Sequence, residues 1–169
     1  IIKTNHPDIP LTFTKEAREI NLGEFQGKKR EEVSWDALGE DMLNRKPKGG
    51  ESILELRKRA VSFIFKLYKK HKDANILVVT HRGFMRQVVA YFEKTPPDKI
   101  YEHYSIKNAA VLKLKLTGDK KGKVFNTETG EKTEHQSDVV FATDGAFSAV
   151  RYNAMQKLDR FNYRQNFIE

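Results

Sequence analysis

Cysteine is absent from the 169 residues, which excludes disulfides, thiolate nucleophiles and Cys-ligated zinc. No apolar run approaches the roughly 20 residues that carry a helix across a bilayer. The first residues also lack the basic-then-apolar layout of a secretory signal. No Gly-x-Gly-x-x-Gly pattern occurs, so the usual dinucleotide-binding turn is missing. Prolines are few and fall at 7, 10, 47, 96 and 97, which places the breaks in the chain. A reducing cytoplasm is the expected location. Ile1 opens the chain in place of Met, so a preceding segment is expected.

What remains is a polar chain with 38% hydrophobic and 32% charged residues. The length suits one domain with a real core, or one domain plus a fragment. The net charge is +8, a balance that fits nucleic acid, a membrane surface or anionic small molecules. The cations are scattered, with local clusters at residues 28–30 and 69–72, and no helix-turn-helix or RNA-binding signature accompanies them. They are read as solvated helix faces. A non-catalytic basic protein that binds nucleic acid or another polyanion is the competing reading; no membrane partner is expected.

The stretch Ile76-Leu77-Val78-Val79-Thr80-His81-Arg82-Gly83-Phe84-Met85-Arg86 organises the rest. Its first four residues are β-branched or Leu without polar alternation, which predicts a strand covered on both faces. Phe84, Met85, Val88, Val89 and Phe92 then recur at helical spacing. His81 therefore falls at the carboxyl end of a strand, where open α/β sheets bind ligands and a helix start offers N–H groups to an anion.

Before this stretch, Pro7 and Pro10 precede the alternating Leu11-Thr12-Phe13-Thr14, expected as a loop and a short edge strand. Residues 18–27 read as irregular. Residues 28–46 read as a helix with Val33, Trp35, Leu38, Met42 and Leu43 as its apolar stripe. Pro47 and Gly49-Gly50 break the chain, and Ser52 with Glu55 forms a capping box. The long helix that follows would bury Ile53, Leu56, Ala60, Phe63, Ile64 and Leu67, with cations in its last turn.

After Pro96-Pro97, a loop carrying Tyr101, His103 and Tyr104 leads to Asn108. Val111 to Leu116 alternates as a strand with one wet face. Residues 117–123 read as a junction. Val124-Phe125, the turn-like Thr127-Glu128-Thr129-Gly130 and Lys132-Thr133 read as a hairpin. Val139 to Ala142 is a buried-type strand, and Thr143-Asp144-Gly145 leads into an Ala-rich helical stretch ending near Lys157. The aromatic, basic tail at residues 160–165 shows no clear period.

Four landmarks occur in order: Arg18-Glu19-Ile20-Asn21-Leu22-Gly23-Glu24-Phe25-Gln26-Gly27, then Gly49-Gly50-Glu51-Ser52, then Val78 to Arg86, then Asn108-Ala109. Together they resemble the histidine phosphatase superfamily, the phosphoglycerate mutase-like enzymes, over residues 1 to about 116. In that family a first histidine, in an Arg-His-Gly motif, takes the phosphoryl group. A second histidine and arginines hold it, and a carboxylate protonates the leaving alcohol. The resemblance assigns the second histidine to His81 and the proton donor to Glu19, with Arg82, Gly83, Arg86, Ser52 and Asn108 as substrate-binding candidates. It implies a small phosphorylated substrate, and no metal or cofactor for this part. Arg82 stands where many relatives have a small residue.

No Arg-His-Gly occurs in these residues; His6 lies in Asn5-His6-Pro7. The family's first strand and its nucleophile are expected before residue 1, and this chain is expected to be inactive alone.

A second resemblance lies further on. Asp138 to Arg151 and Arg160 to Ile168 resemble flavin-dependent aromatic hydroxylases of the kynurenine 3-monooxygenase type. There the Asp-Gly turn and following helix lie beside FAD, which implies Asp144, Gly145, Ser148 and Arg151 as cofactor-binding positions. Such a fragment is too short to enclose FAD, so a ligand-free strand-helix unit is the preferred reading.

The expected fold is α/β: an incomplete three-layer unit with a mostly parallel sheet, spanning 1–116. A junction at 117–123 follows, then a hairpin plus strand-helix unit over 124–169. Exposed sheet edges are expected to favour self-association.

Overall fold

A computed structural model describes residues 7–72, 74–103, 106, 110–116, 122–126 and 139–143. Its longest helix, α1, spans Ile53–Lys70. It starts where the capping box places it: Ser52 Oγ accepts the Glu55 N–H at 3.2 Å, and Glu55 Oε2 accepts the Ser52 N–H at 2.9 Å. Leu56, Ala60, Phe63 and Ile64 are buried, while Ile53 and Leu67 are half-buried at the ends of the stripe.

The chain then forms β1, Ile76–Thr80, and α2, Arg82–Phe92. α2 buries Phe84, Met85, Gln87, Val88, Val89 and Ala90, and the Phe63 and Phe84 rings meet edge to face at 6.1 Å. The helix ends because Lys94 adopts φ 58°, the left-handed conformation that lets the Thr95 N–H reach back to the Ala90 carbonyl at 2.9 Å. Pro96 and Pro97 follow that stop. A short helix, α3, covers Ile100–His103.

Four described strands, β1, β2 (Val111–Leu116), β3 (Gly122–Asn126) and β4 (Val139–Thr143), form one sheet in the order β1-β4-β2-β3. β1 and β4 are parallel; β2 is antiparallel to both β3 and β4. The described sheet is thus mixed and not mostly parallel. β2 and β3 are joined only by residues 117–121, a link too short for the crossover that parallel neighbours need.

The hairpin partner of Val124 and Phe125 is accordingly β2, through Leu114 and Lys113. The turn expected at 127–130 and the arm at 132–133 lie outside the described residues, as do the helix expected to end near Lys157 and the C-terminal tail. Gly122 and Lys123, the last residues of the expected junction, open β3. β4 runs between β1 and β2, so strands from both sides of that junction share one sheet.

Val78, Leu112, Leu114 and Leu116 join Leu56, Phe63, Ile64, Phe84, Met85 and Val88 in one core. On the opposite face, Leu77 and Val79 are 50% and 43% exposed. β1 is therefore covered on one face and not on both. Its sequence is apolar on each side, but strand periodicity sends alternate residues away from the helices.

β2 departs in the other direction. Lys113, expected on a wet face, is buried, while Lys115 on the same side of β2 is exposed. Burial, helped by the neighbouring Lys115 charge, lowers the Lys113 pKa.

Two further expectations fail. Residues 10–14 form no strand, and Phe13 is 90% exposed. Residues 28–46 form no α-helix, only 3-10 turns at Arg30–Glu32 and Asp36–Leu38. Between them Val33 is extended, and Gly39 takes φ 105°. The Asp41 carboxylate accepts the N–H groups of Leu43 and Asn44 at 3.0 and 3.2 Å, a local turn that competes with helical pairing. Among the described residues no helix is long and apolar enough to cross a membrane.

Phe84→Ala removes the fully buried ring between the helices and is expected to cost about 3–5 kcal/mol. Urea denaturation measures this as a lower midpoint.

Candidate active site

Glu19 belongs to a segment with no strand or helix, yet its position is set from several sides. Ala17 is buried in the core. Its carbonyl accepts the Thr80 hydroxyl at 2.5 Å, which ties the segment to the end of β1. Glu19 then reaches the start of α2: its Oε2 accepts the Gly83 N–H at 2.9 Å, while Oε1 accepts the Ile20 N–H at 2.9 Å. The first N–H groups of a helix have no intrahelical acceptor and lie at its positive end, so a carboxylate is favoured there. Gly83 permits the contact. A side chain at that position would begin inside the Glu19 carboxylate, with a methyl carbon 2.9 Å from Cδ.

His81 is the residue before α2, extended at φ −116°, ψ 162°, and its side chain makes no capping bond. It is exposed, and its carbonyl accepts the Met85 N–H at 3.0 Å. Arg82 and Arg86 lie four residues apart on α2, a spacing that puts them on one side of the helix. The Arg86 guanidinium sits 5.4 Å from the centre of the Tyr101 ring. Burial raises the Tyr101 pKa, and the Glu19 charge raises it further against the opposing Arg86 charge. The structure therefore docks Glu19 on Gly83, next to His81 and Arg82 in the chain, and sets Arg86 against Tyr101.

Ser52 does not share this arrangement. It is buried, and its hydroxyl is occupied by the cap of α1. The 49–52 motif acts on residues 21–24 instead. Asn21 O accepts the Glu51 N–H at 2.8 Å, Asn21 Nδ2 donates to Gly49 O at 3.0 Å, and Glu24 N donates to Lys48 O at 3.0 Å. Asn108, Asp144, Gly145, Ser148 and Arg151 lie outside the described residues.

Sequence reasoning passed over Arg59 and Glu51 as a pair. Arg59 Nε and Nη2 meet the two Glu51 carboxylate oxygens at 2.8 and 2.7 Å. Burial opposes the Glu51 charge, but the Arg59 bonds and charge, with the Asn21 N–H and Arg18, outweigh it and lower the pKa. A signal did exist: Arg59 falls seven residues after Ser52 and three after Leu56, beside the buried stripe, where a cation needs partners.

A histidine thus stands at a strand's carboxyl end, beside a helix start that carries two arginines and a docked carboxylate. The family model for the histidine phosphatase superfamily (branch 1) matches residues 1–128, and the chain belongs to that superfamily. Membership implies an α/β fold of the phosphoglycerate mutase-like type. The match extends through β3, beyond the expected limit near residue 116.

Short similarities to curated kynurenine 3-monooxygenases agree with the second resemblance. The protein from Christiangramia forsetii is 56% identical over 36 residues, 21% of this chain and 8% of its own length. That from Flavobacterium psychrophilum is 50% identical over 42 residues, 25% of this chain and 9% of its own. That from Flavobacterium johnsoniae is 44% identical over 45 residues, 27% of this chain and 10% of its own. The chain thus spans a tenth or less of the length of these relatives. No solved structure matches.

Gly83→Ala ordinarily gains up to about 1 kcal/mol of helix propensity. Here it is expected to destabilise, because the new methyl displaces Glu19; in a Glu19→Ala background it should stabilise. Urea midpoints of the four variants of this cycle test the contact, and an unchanged sign would disprove it.

Glu51 has a folded pKa below its unfolded value, so its contribution is present above the ordinary Glu range and is lost as pH falls through the folded value. Glu51→Gln is expected to cost about 1–3 kcal/mol near neutral pH. It should also flatten the acid limb of a stability–pH profile.

Proposed function

We propose that this chain supplies the second histidine, the acid and the positive rim of a phosphomonoester-handling site that works through a phosphohistidine. The observation that carries the reading is the docking of Glu19 on the first turn of α2, immediately after His81, within a histidine phosphatase family match. His81 would hold the phosphoryl oxygens with Arg82 and Arg86. Phosphoryl transfer asks mainly for such positioning and positive charge. Glu19 would give a proton to the departing alkoxide; since the Gly83 and Ile20 N–H groups favour its carboxylate, it would take up that proton only in the substrate complex. The partner is a small phosphorylated substrate, and the roles proposed for these residues need no cofactor.

The nucleophile is the part these residues do not supply, since no Arg-His-Gly occurs among them. The 169-residue chain alone is therefore expected to leave 4-nitrophenyl phosphate unhydrolysed. Turnover by the purified chain, abolished by His81→Ala, would overturn this.

In a form that carries an Arg-His-Gly segment ahead of residue 1, Glu19→Gln should lower kcat for an alkyl phosphate about 10²–10⁴-fold. It should affect 4-nitrophenyl phosphate far less, because nitrophenolate leaves without a proton. Equal loss on both substrates would remove Glu19 from the acid role.

A second reading draws on the kynurenine 3-monooxygenase similarities: a fragment related to FAD-dependent aromatic monooxygenases. The sequence lacks a Gly-x-Gly-x-x-Gly turn, and the fragment is too short to enclose a flavin. Flavin absorbance in the purified protein would favour this reading.

A further inference from the structure

We infer that Arg59 is the positioning residue for Glu19, acting together with Glu51, and that the 49–52 motif serves the site through this pair and not by touching substrate. The inference rests on the acid role proposed for Glu19.

A guanidinium has five N–H groups in a fixed planar fork, and all five are accounted for. Nε and one Nη2 N–H grip Glu51, at 2.8 and 2.7 Å. Nη1 donates to Glu16 O at 2.7 Å and to Arg18 O at 3.0 Å, and Nη2 donates to Glu19 O at 3.3 Å. Three carbonyls of one irregular stretch thus converge on one cation. The side chains of Arg59 and Glu51 are only 18% and 14% exposed, so water is a poor substitute for either.

The consequence for the site is geometric. The Glu19 carbonyl accepts from Arg59, while the Glu19 carboxylate accepts the Gly83 N–H on α2. One residue is therefore fixed at both its main chain and its side chain, by two different helices. Glu51 in turn fixes the plane of the guanidinium and links it to Asn21 through the Asn21 O contact. Lysine, with one nitrogen, keeps the charge at position 59 but cannot reproduce the fork.

The test is amide NMR of the 15N-labelled chain, alongside its thermal unfolding. Glu19→Gln first establishes how the Gly83 and Ile20 amide signals move when the carboxylate is replaced. Arg59→Lys and Glu51→Gln are expected to shift both amides in that same direction. Gly83 exchange should quicken about tenfold as its charged acceptor is lost. Arg57→Lys, which alters a cation bonded to Thr95 O on the same helix, should leave Gly83 unmoved.

Lower thermal stability with unmoved Gly83 and Ile20 amides would reduce Arg59 to a structural role and overturn the inference. If Arg59→Lys fails to fold, Glu51→Gln decides, because it keeps the Arg59 cation and weakens only the partner that fixes the guanidinium plane. The two readings fail separately. Amides that respond as stated, in a protein whose active form turns over no phosphomonoester, would keep the positioning and remove the acid role.

Discussion

Unpaired backbone carbonyls are what this structure must accommodate, and the Arg59 guanidinium is how it does so. Residues 15–20 run beside the core without belonging to a helix or sheet, so their polar groups have no ladder to join. Arg59 takes three of their carbonyls, and the Thr80 hydroxyl takes a fourth from Ala17. The capped, amphipathic α1 supplies the guanidinium from a rigid support. A loop held in this way becomes as well placed as a strand would be.

Everything distinctive about the site follows from that placement. The carboxylate of Glu19 arrives at the one place on α2 where backbone donors are unspent, and Gly83 leaves room for it. Arg86 and Tyr101 close the neighbourhood from α2 and α3. The turn at 47–51 zips onto residues 21–24, so motifs some thirty residues apart become one support. The site is assembled by main-chain bonds to side chains more than by side chains to one another.

The sheet brings the two blocks of the chain together. β4 comes from the segment read as monooxygenase-like, yet it lies between β1 and β2 and pairs with both. Val139-Val140-Phe141-Ala142 is apolar at successive positions, a sequence compatible with an interior strand. The family match ends at residue 128, short of β4. Sheet pairing is a backbone property, and it does not respect boundaries drawn by sequence resemblance.

Local chemistry was legible along the chain wherever a single element decides its own form. Ser52 and Glu55 announced the start of α1, the spacing from Phe84 to Phe92 announced α2, and the polar break at His81 marked the strand-to-helix turn. Glu19 and His81 were singled out through the order of the motifs. Residues 28–46 misled because an apolar stripe implies a helix only when local turns do not compete, and Gly39 and Asp41 compete.

Lys113 misled because alternation shows which face a residue points to and not which positions of that face are covered. The pairing of Arg59 with Glu51 and with three distant carbonyls was also beyond sequence reading: its energy is spread over partners eight to 43 residues away. Periodicity and caps act within a few turns of chain, so the sequence by itself determined the two long helices and the strand between them and singled out Glu19 and His81 as candidates. Only the tertiary structure decided strand neighbours and the reach of Glu19 to Gly83, because those depend on which buried polar groups are left to satisfy one another.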